Sequence, residues 1–368
     1  MKTMVRELRE AMYFIGSLQY WRMAVFWTIS ILVSYWQLFT QTMFSWQSFN
    51  YPRCEPTGVG SSKPLCIITG ATSGLGYAAA EALSREGFFV VLVGRSSSLL
   101  VKAMEEIRER NEGAHLRAFE VDLSSFQSIL KFRVSLEKWL LDSEMHCSIQ
   151  LLINNAGILA TSLRFTSEGY DKMMGTNYIG AFSLSNLLLP LLRNSPVGSR
   201  IVNVTSFTHR SVFDVQVHER SITGNCFLNT KQYPYAQIYE YSKLCLLLFS
   251  YELHRQLHMT DKSCQVSVNA ADPGVVETNI MREVPSFLSK FACLVLKLLG
   301  VCQSSEHGVS SILDAALAPQ EISGEYFFGG KGRTLNSSAL SQDTKLAEKL
   351  WTASCNLFEQ LELACRGT

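Results

Sequence analysis

Leu65-Cys66-Ile67-Ile68-Thr69-Gly70-Ala71-Thr72-Ser73-Gly74-Leu75-Gly76 is a short apolar run that empties into a glycine-rich turn, and Tyr77 to Arg85 continues from it as an alanine-rich stretch. That order reads as strand, tight turn and helix. The glycines let the backbone turn sharply and approach a pyrophosphate, which then sits at the positive end of the following helix. Chance glycines at a helix entry would be the bland alternative. Here the turn follows a strand, opens a helix and begins a domain, which is the context such a phosphate site requires.

Further apolar strands are predicted at 88–93, 115–121, 149–153, 200–204 and 264–269, with helical stretches between them. Alternation of this kind predicts an α/β fold, a doubly wound parallel sheet of Rossmann type with helices on both faces. The near-continuous apolar strands agree with a sheet covered on both sides. The expected division is an N-terminal segment at 1–53, a Pro/Gly/Ser linker at 54–64, one nucleotide-binding domain at 65–330 and a C-terminal extension at 331–368. The second strand ends in Gly94-Arg95-Ser96, a cation suited to a ribose 2′-phosphate where an acidic residue would accept from the 2′-hydroxyl. This favours NADP(H) over NAD(H), with Thr72 and Ser73 assisting from the turn.

The 33 basic and 32 acidic residues leave a net charge of +1, without the basic block that tracks a phosphate backbone, so nucleic acid is not an expected partner. The ten cysteines form no CxxC pair or zinc spacing and read as mostly buried thiols. His254 and His258 are spaced i, i+4 but lack a third ligand, so no metal site is expected.

Between Arg22 and Arg53 there is no Asp, Glu, Lys or Arg, and Met23 to Phe39 is aliphatic and aromatic. Seventeen residues make about 25 Å of helix, and Gln41 to Trp46 could extend it toward the bilayer core of roughly 30 Å. A membrane anchor over about 23–46 is the expectation, with a signal peptide or an interfacial helix as alternatives. Trp21, Trp27, Trp36 and Trp46 suit headgroup depth. Lys2, Arg6, Arg9 and Arg22 precede the segment, and Arg53 and Lys63 follow it. The positive-inside rule then leaves the N-terminus cytosolic and the domain across the membrane, an assignment that reverses if the segment lies flat. Phe287 to Val301 is a second apolar stretch, read as a lid over an apolar substrate or as a core-packed helix.

Tyr239 and Lys243, in Tyr239-Glu240-Tyr241-Ser242-Lys243, place a phenol and an ammonium one helical turn apart, where the cation favours phenolate. Alone, such a pair usually means a packed ring beside a solvated charge. With Thr69-Gly70-x-x-x-Gly74-x-Gly76, Asp122-Leu123, Asn154-Asn155-Ala156-Gly157, Asn177, Ser206 and Pro273-Gly274 in this order, residues 65–330 resemble the short-chain dehydrogenases/reductases. Arg200 to Ser206, the long gap before Tyr239, Asp272-Pro273-Gly274-Val275-Val276 and Leu350 to Cys355 resemble the branch of retinol dehydrogenases, WW-domain oxidoreductases and polyprenol dehydrogenases.

The resemblance implies that Tyr239 transfers a proton to or from a substrate oxygen, that Lys243 assists it and binds the nicotinamide ribose, and that Ser206 hydrogen-bonds the substrate oxygen. Asn177 would hold a water linking Lys243 to solvent. Asp122 would meet the adenine, Asn154 or its neighbours the adenosine ribose, and Val276 and Thr278 the carboxamide, beside Pro273 and Gly274. The expected function is a membrane-associated oxidoreductase interconverting a lipophilic alcohol and carbonyl of the retinoid, sterol or polyprenoid class, at the endoplasmic reticulum. Homo-oligomerisation is left open. The competing reading is a non-catalytic nucleotide-binding scaffold; an epimerase would carry a GxxGxxG turn instead.

Overall fold

The computed structural model describes residues 9–366 apart from 10, 45–49, 61, 228–229, 231 and 261–264. Lys2, Arg6 and Trp46 therefore lie outside the described residues. Seven parallel strands form one sheet: β1 (Leu65–Thr69), β2 (Phe89–Gly94), β3 (His115–Glu120), β4 (Leu151–Asn154), β5 (Ser199–Val204), β6 (Val266–Asp272) and β9 (Tyr326–Phe328). Their order is β3-β2-β1-β4-β5-β6-β9, all hydrogen-bonded in parallel. β7 (Val275–Val276) and β8 (Cys302–Gln303) form a separate small pair. The order reverses between β1 and β4, which opens a crevice at the carboxyl ends of the strands. Every residue of β1, β4, β5 and β6 is buried, because helices cover both faces.

The helices that matter for the site are α1 (Leu18–Phe44), α2 (Gly74–Arg85), α3 (Ser97–Arg110), α4 (Phe126–Asp142), α5 (Gly180–Arg193), α6 (Tyr235–Thr260), α7 (Ser286–Leu298), α8 (Ser310–Leu317) and α9 (Thr344–Arg366). One π-helical turn, Met23–Trp27, interrupts α1, and another, Gly175–Ile179, leads into α5.

The C-terminal extension packs back onto the domain. Trp351 of α9 stacks on Phe249 of α6 with ring centroids 6.2 Å apart, and the Tyr178 hydroxyl meets Ser354 Oγ at 2.7 Å. Linker residues are held as well: Cys54 N–H donates to Leu317 O at 2.6 Å. α7 is not core-packed, since Leu288 is its one buried residue and Phe287, Phe291, Leu294 and Leu298 are exposed. The expectation of mostly buried thiols needs correcting, because only Cys66 and Cys245 of the described cysteines are buried. Cys54 is exposed and the others are half-buried, on helices, in a loop and, for Cys302, on the short strand β8. His254 spends its Nδ1 on Ser323 Oγ at 2.7 Å and stacks edge-on with His258.

Leu350 sits in the α9–α6 interface with no exposed surface. Leu350→Ala should lower stability by about 2–5 kcal/mol through lost burial and a residual cavity. A shift in urea midpoint at unchanged slope checks this; an unchanged midpoint would mean that α9 is dispensable to the core.

Candidate active site

Each part of the site is set at the crevice by local chain geometry. Gly70 and Gly74 occupy the left-handed region, with φ of +67° and +57°. A Cβ on Gly76 would come 2.3 Å from Gly70 O, so only glycine lets α2 close onto the turn. Thr69 anchors the opposite wall: its Oγ1 accepts from the Asn155 and Ala156 N–H groups, both at 3.0 Å.

The resulting cleft is open to solvent and, with the adjoining solvent space, amounts to about 1230 Å³. Gly70, Thr72, Ser73, Gly74, Leu75 and Arg95 line it together with Ser206, Tyr239, Lys243, Pro273, Gly274, Val276 and Thr278, and the Thr278 side chain comes against Gly74. Asn155, Ala156 and Gly157 form the floor of the cleft. Five of the expected positions stand behind this surface. Thr69 and Gly76 shape the turn from within. Asn177 clamps the floor loop, its Oδ1 accepting from Ile158 N–H at 2.8 Å and its Nδ2 donating to Ile158 O at 2.9 Å and Ser242 Oγ at 3.1 Å. Asn154 is directed into the sheet, where Nδ2 donates to Ser185 Oγ and Asn203 Oδ1, both at 2.8 Å. Its amide is therefore taken up by the sheet centre, and the neighbours Asn155 to Gly157 are the residues facing the cleft. Asp122 is beyond the lining too; its Oδ1 accepts from Ser124 N–H and Oγ at 2.9 and 2.7 Å. Partial burial works against ionisation there, but the Ser124 bonds and the nearby Lys172 and Arg95 keep the carboxyl below its ordinary range. Arg95 makes no hydrogen bond or ion pair among the described residues, leaving its donors open toward the cleft.

β5 ends at Val204 and is followed by Thr205 and Ser206, and α6 runs past it. Thr205 Oγ1 donates to Lys243 O at 3.1 Å, and Lys243 Nζ donates to Val204 O at 2.9 Å. These bonds fix Tyr239 and Lys243 beside Ser206. The ammonium lies 5.8 Å from the Tyr239 ring centroid. Burial lowers Lys243 to about 8, with Asp272 opposing the shift, and burial raises Asp272 to about 6. Tyr239 is pushed above the usual phenol range, first by burial and then by the Asp272 carboxylate, while the hydrogen bond with Ser206 acts the other way. The phenol is thus held protonated, as a proton donor requires.

Four likenesses bear on ancestry. The short chain dehydrogenase family matches residues 64–217. A polyprenol dehydrogenase of Homo sapiens is 31% identical over 316 residues, covering 84% of this chain and 89% of its own. The chain belongs to the short-chain dehydrogenase/reductase family. Retinol dehydrogenase 12 of Mus musculus is 32% identical over 304 residues, with 82% and 88% covered. A short-chain dehydrogenase/reductase structure from Mycobacterium marinum superposes with a TM-score of 0.55 at 20% identity, covering 74% of this chain and 95% of that one, a likeness of fold. As a short-chain dehydrogenase/reductase the protein is an NAD(P)-dependent oxidoreductase of alcohols and carbonyls.

The sequence reading missed His209, Asp272 and Glu240. Asp272 accepts from the Tyr326 hydroxyl at 2.5 Å and Gly274 N–H at 2.8 Å, facing the Tyr239–Lys243 pair from a fully buried position. The Asp before Pro273-Gly274 was its one sequence signal. His209 lies in the middle of the short helix Phe207–Ser211, which Ser206 caps. Its Nε2 accepts from Ser338 N–H at 3.1 Å, so Nδ1 carries the proton and donates to Ser206 O at 2.7 Å. Burial, then Arg210, lowers its pKa to about 3. Because the unfolded state binds a proton near 6.5 and the folded state only near 3, the neutral ring's contribution is present above pH 6.5 and is lost as pH falls through that window. In urea titrations, wild type should lose more stability between pH 6.5 and 4 than His209→Gln, which cannot titrate; parallel curves would show that His209 does not control acid sensitivity.

Proposed function

We propose that this protein is a membrane-associated, NADP(H)-dependent oxidoreductase that interconverts a lipophilic alcohol and its carbonyl, of the retinoid, sterol or polyprenoid class, by Tyr239-assisted hydride transfer. The observation that carries this reading is convergence: Ser206, Tyr239 and Lys243 line the same cleft as the glycine turn and Arg95. The glycine turn fits a nucleotide pyrophosphate, since Gly76 lets α2 close onto it and Gly70 and Gly74 keep its backbone free of side chains, and Arg95 suits a 2′-phosphate. The nicotinamide nucleotide supplies or accepts the hydride. Tyr239 gives the substrate oxygen its proton in reduction and takes it in oxidation. Ser206 orients that oxygen and donates to it as charge develops. Lys243, cationic below about pH 8, stabilises the phenolate left behind and reaches the ribose.

Support for a lipophilic substrate comes from surface polarity and from the relatives named for polyprenol and retinol. Along α1, Trp21, Val25, Ile29, Leu32, Trp36 and Phe39 are exposed at intervals of three or four residues, and α7 exposes a further apolar face. The two faces lie near each other, because Tyr35 of α1 packs in the same cluster as Val301, just past α7. Large uncharged faces beside a cleft mouth suit a lipid boundary.

Detergent-solubilised protein offered NADPH or NADP⁺ with a panel of retinoids, sterols and polyprenoids tests the reading. Tyr239→Phe should lower kcat by about 10²–10⁴-fold, the range of general acid catalysis, with nucleotide affinity retained. If wild type turns over no panel member while still binding nucleotide, the scaffold reading replaces this one. Comparing NADPH with NADH tests cofactor choice: Arg95→Asp should move the preference toward NADH, and an unchanged ratio would remove Arg95 from that role.

A further inference from the structure

Glu240 follows Tyr239 directly and is fully buried, yet every hydrogen-bond partner of its side chain comes from α1. Arg22 Nε donates to both carboxylate oxygens at 2.9 and 3.2 Å, Arg22 also donates a 2.6 Å bond from its terminal nitrogen, and Trp27 Nε1 donates at 2.8 Å. The same indole packs against the Tyr239 ring, with centroids 5.6 Å apart. α1 also grips the segment after Ser206. Ser30 Oγ meets Ser211 Oγ at 2.9 Å, and Arg210 reaches Ser34 Oγ and Gln37 Oε1, both at 3.1 Å.

A helix that crosses a bilayer delivers its ends to opposite faces, roughly 30 Å apart. Here the start of α1 is bound at Glu240, its middle at Ser211 and Arg210, and the chain beyond it at Gly332 and Asp314, through Tyr51 N–H at 2.9 Å and Arg53 at 2.7 Å. Both ends belong to one domain. The two faces of α1 differ as well: Gln19, Ser30 and Ser34 are buried against the protein beside Met23, Ile31 and Leu38, whereas the outward face, with Trp21, Ile29, Leu32 and Trp36, is apolar. An outward face of that kind suits lipid.

We propose that α1 is a docked wall of the active site, lying along the catalytic domain with its outer stripe in lipid, and that Arg22 and Trp27 are positioning residues acting through Glu240 on the turn that carries Tyr239. The catalytic part of this proposal rests on Tyr239 being the proton-transfer group. Without Arg22 and Trp27 the Glu240 carboxylate would be an unpaired buried charge, and the first turns of α6 would move to hydrate it.

Full-length protein on phosphatidylcholine vesicles provides the test, with NADPH and retinal as probes. In Ser30→Cys/Ser211→Cys, oxidation should form the 30–211 disulfide on the vesicle-bound protein, identified by mass spectrometry; bound protein that cannot form it overturns the docked arrangement. Arg22→Met should raise amide hydrogen exchange across 235–243 by about tenfold or more, and Arg22→Met/Glu240→Gln should restore most of the protection by removing the unpaired charge. Wild-type exchange in Arg22→Met overturns the positioning role. Where retinal is reduced, Arg22→Met should lower kcat with little change in KM or nucleotide affinity. Tyr239→Phe separates the two readings: retained turnover in that variant sinks the proton-transfer assignment, whereas the disulfide and exchange results bear on α1 alone.

Discussion

Lys243 brings an ammonium into full burial between β5 and α6, and the end of β5 supplies what that requires. Val204 O accepts from Nζ, Thr205 Oγ1 ties the same residue's carbonyl, and Asp272 faces it from the next strand. A buried cation is costly unless paired and hydrogen-bonded, so the strand ends on either side are constrained to present these acceptors. That constraint holds α6 in register with β5 and sets Tyr239 beside Ser206. Asp272 serves both neighbours: its negative charge favours the charged Lys243 and the protonated Tyr239. Opposed ionisation preferences in adjacent groups are the arrangement expected where one must donate a proton and another remain cationic.

A second ring of polar contacts supports the first. His209 bonds to Ser206 O and Ser338 N–H, linking Ser206 to the start of the C-terminal extension, and Tyr326 carries Asp272 from β9. Glu240 extends this ring to α1. Satisfied buried networks of this kind specify one arrangement of the elements that carry them. The extensions at both ends of the chain are thereby drawn into the structural unit that holds the site, rather than standing apart from it.

Much of the fold was legible because its signals are local. The apolar runs marked six of the seven parallel strands, and the Gly70–Gly76 turn marked where the first strand meets its helix. β9 was overlooked, since three residues, Tyr326 to Phe328, are too few to show a period. Ser206, Tyr239 and Lys243 were readable through spacing and order. Asn154 was misplaced because neighbouring positions on a strand end point to opposite sides: its amide enters the sheet while Asn155 to Gly157 face the cleft. The thiols were read as buried from residue type, although burial depends on where each element comes to lie.

By itself the sequence determined the α/β alternation, the glycine turn, the one-turn spacing of Tyr239 and Lys243 and the uncharged character of residues 23–52, because each depends on residues close in the chain. Only the tertiary structure decided what surrounds Tyr239. The partners of Glu240 lie 218 and 213 positions away, at Arg22 and Trp27, and those of Asp272 and His209 at Tyr326 and Ser338. No spacing rule reaches that far. Whether a buried charge is stable depends on which distant group the fold brings within hydrogen-bond reach, and that is settled only when the sheet closes and both chain ends pack against it.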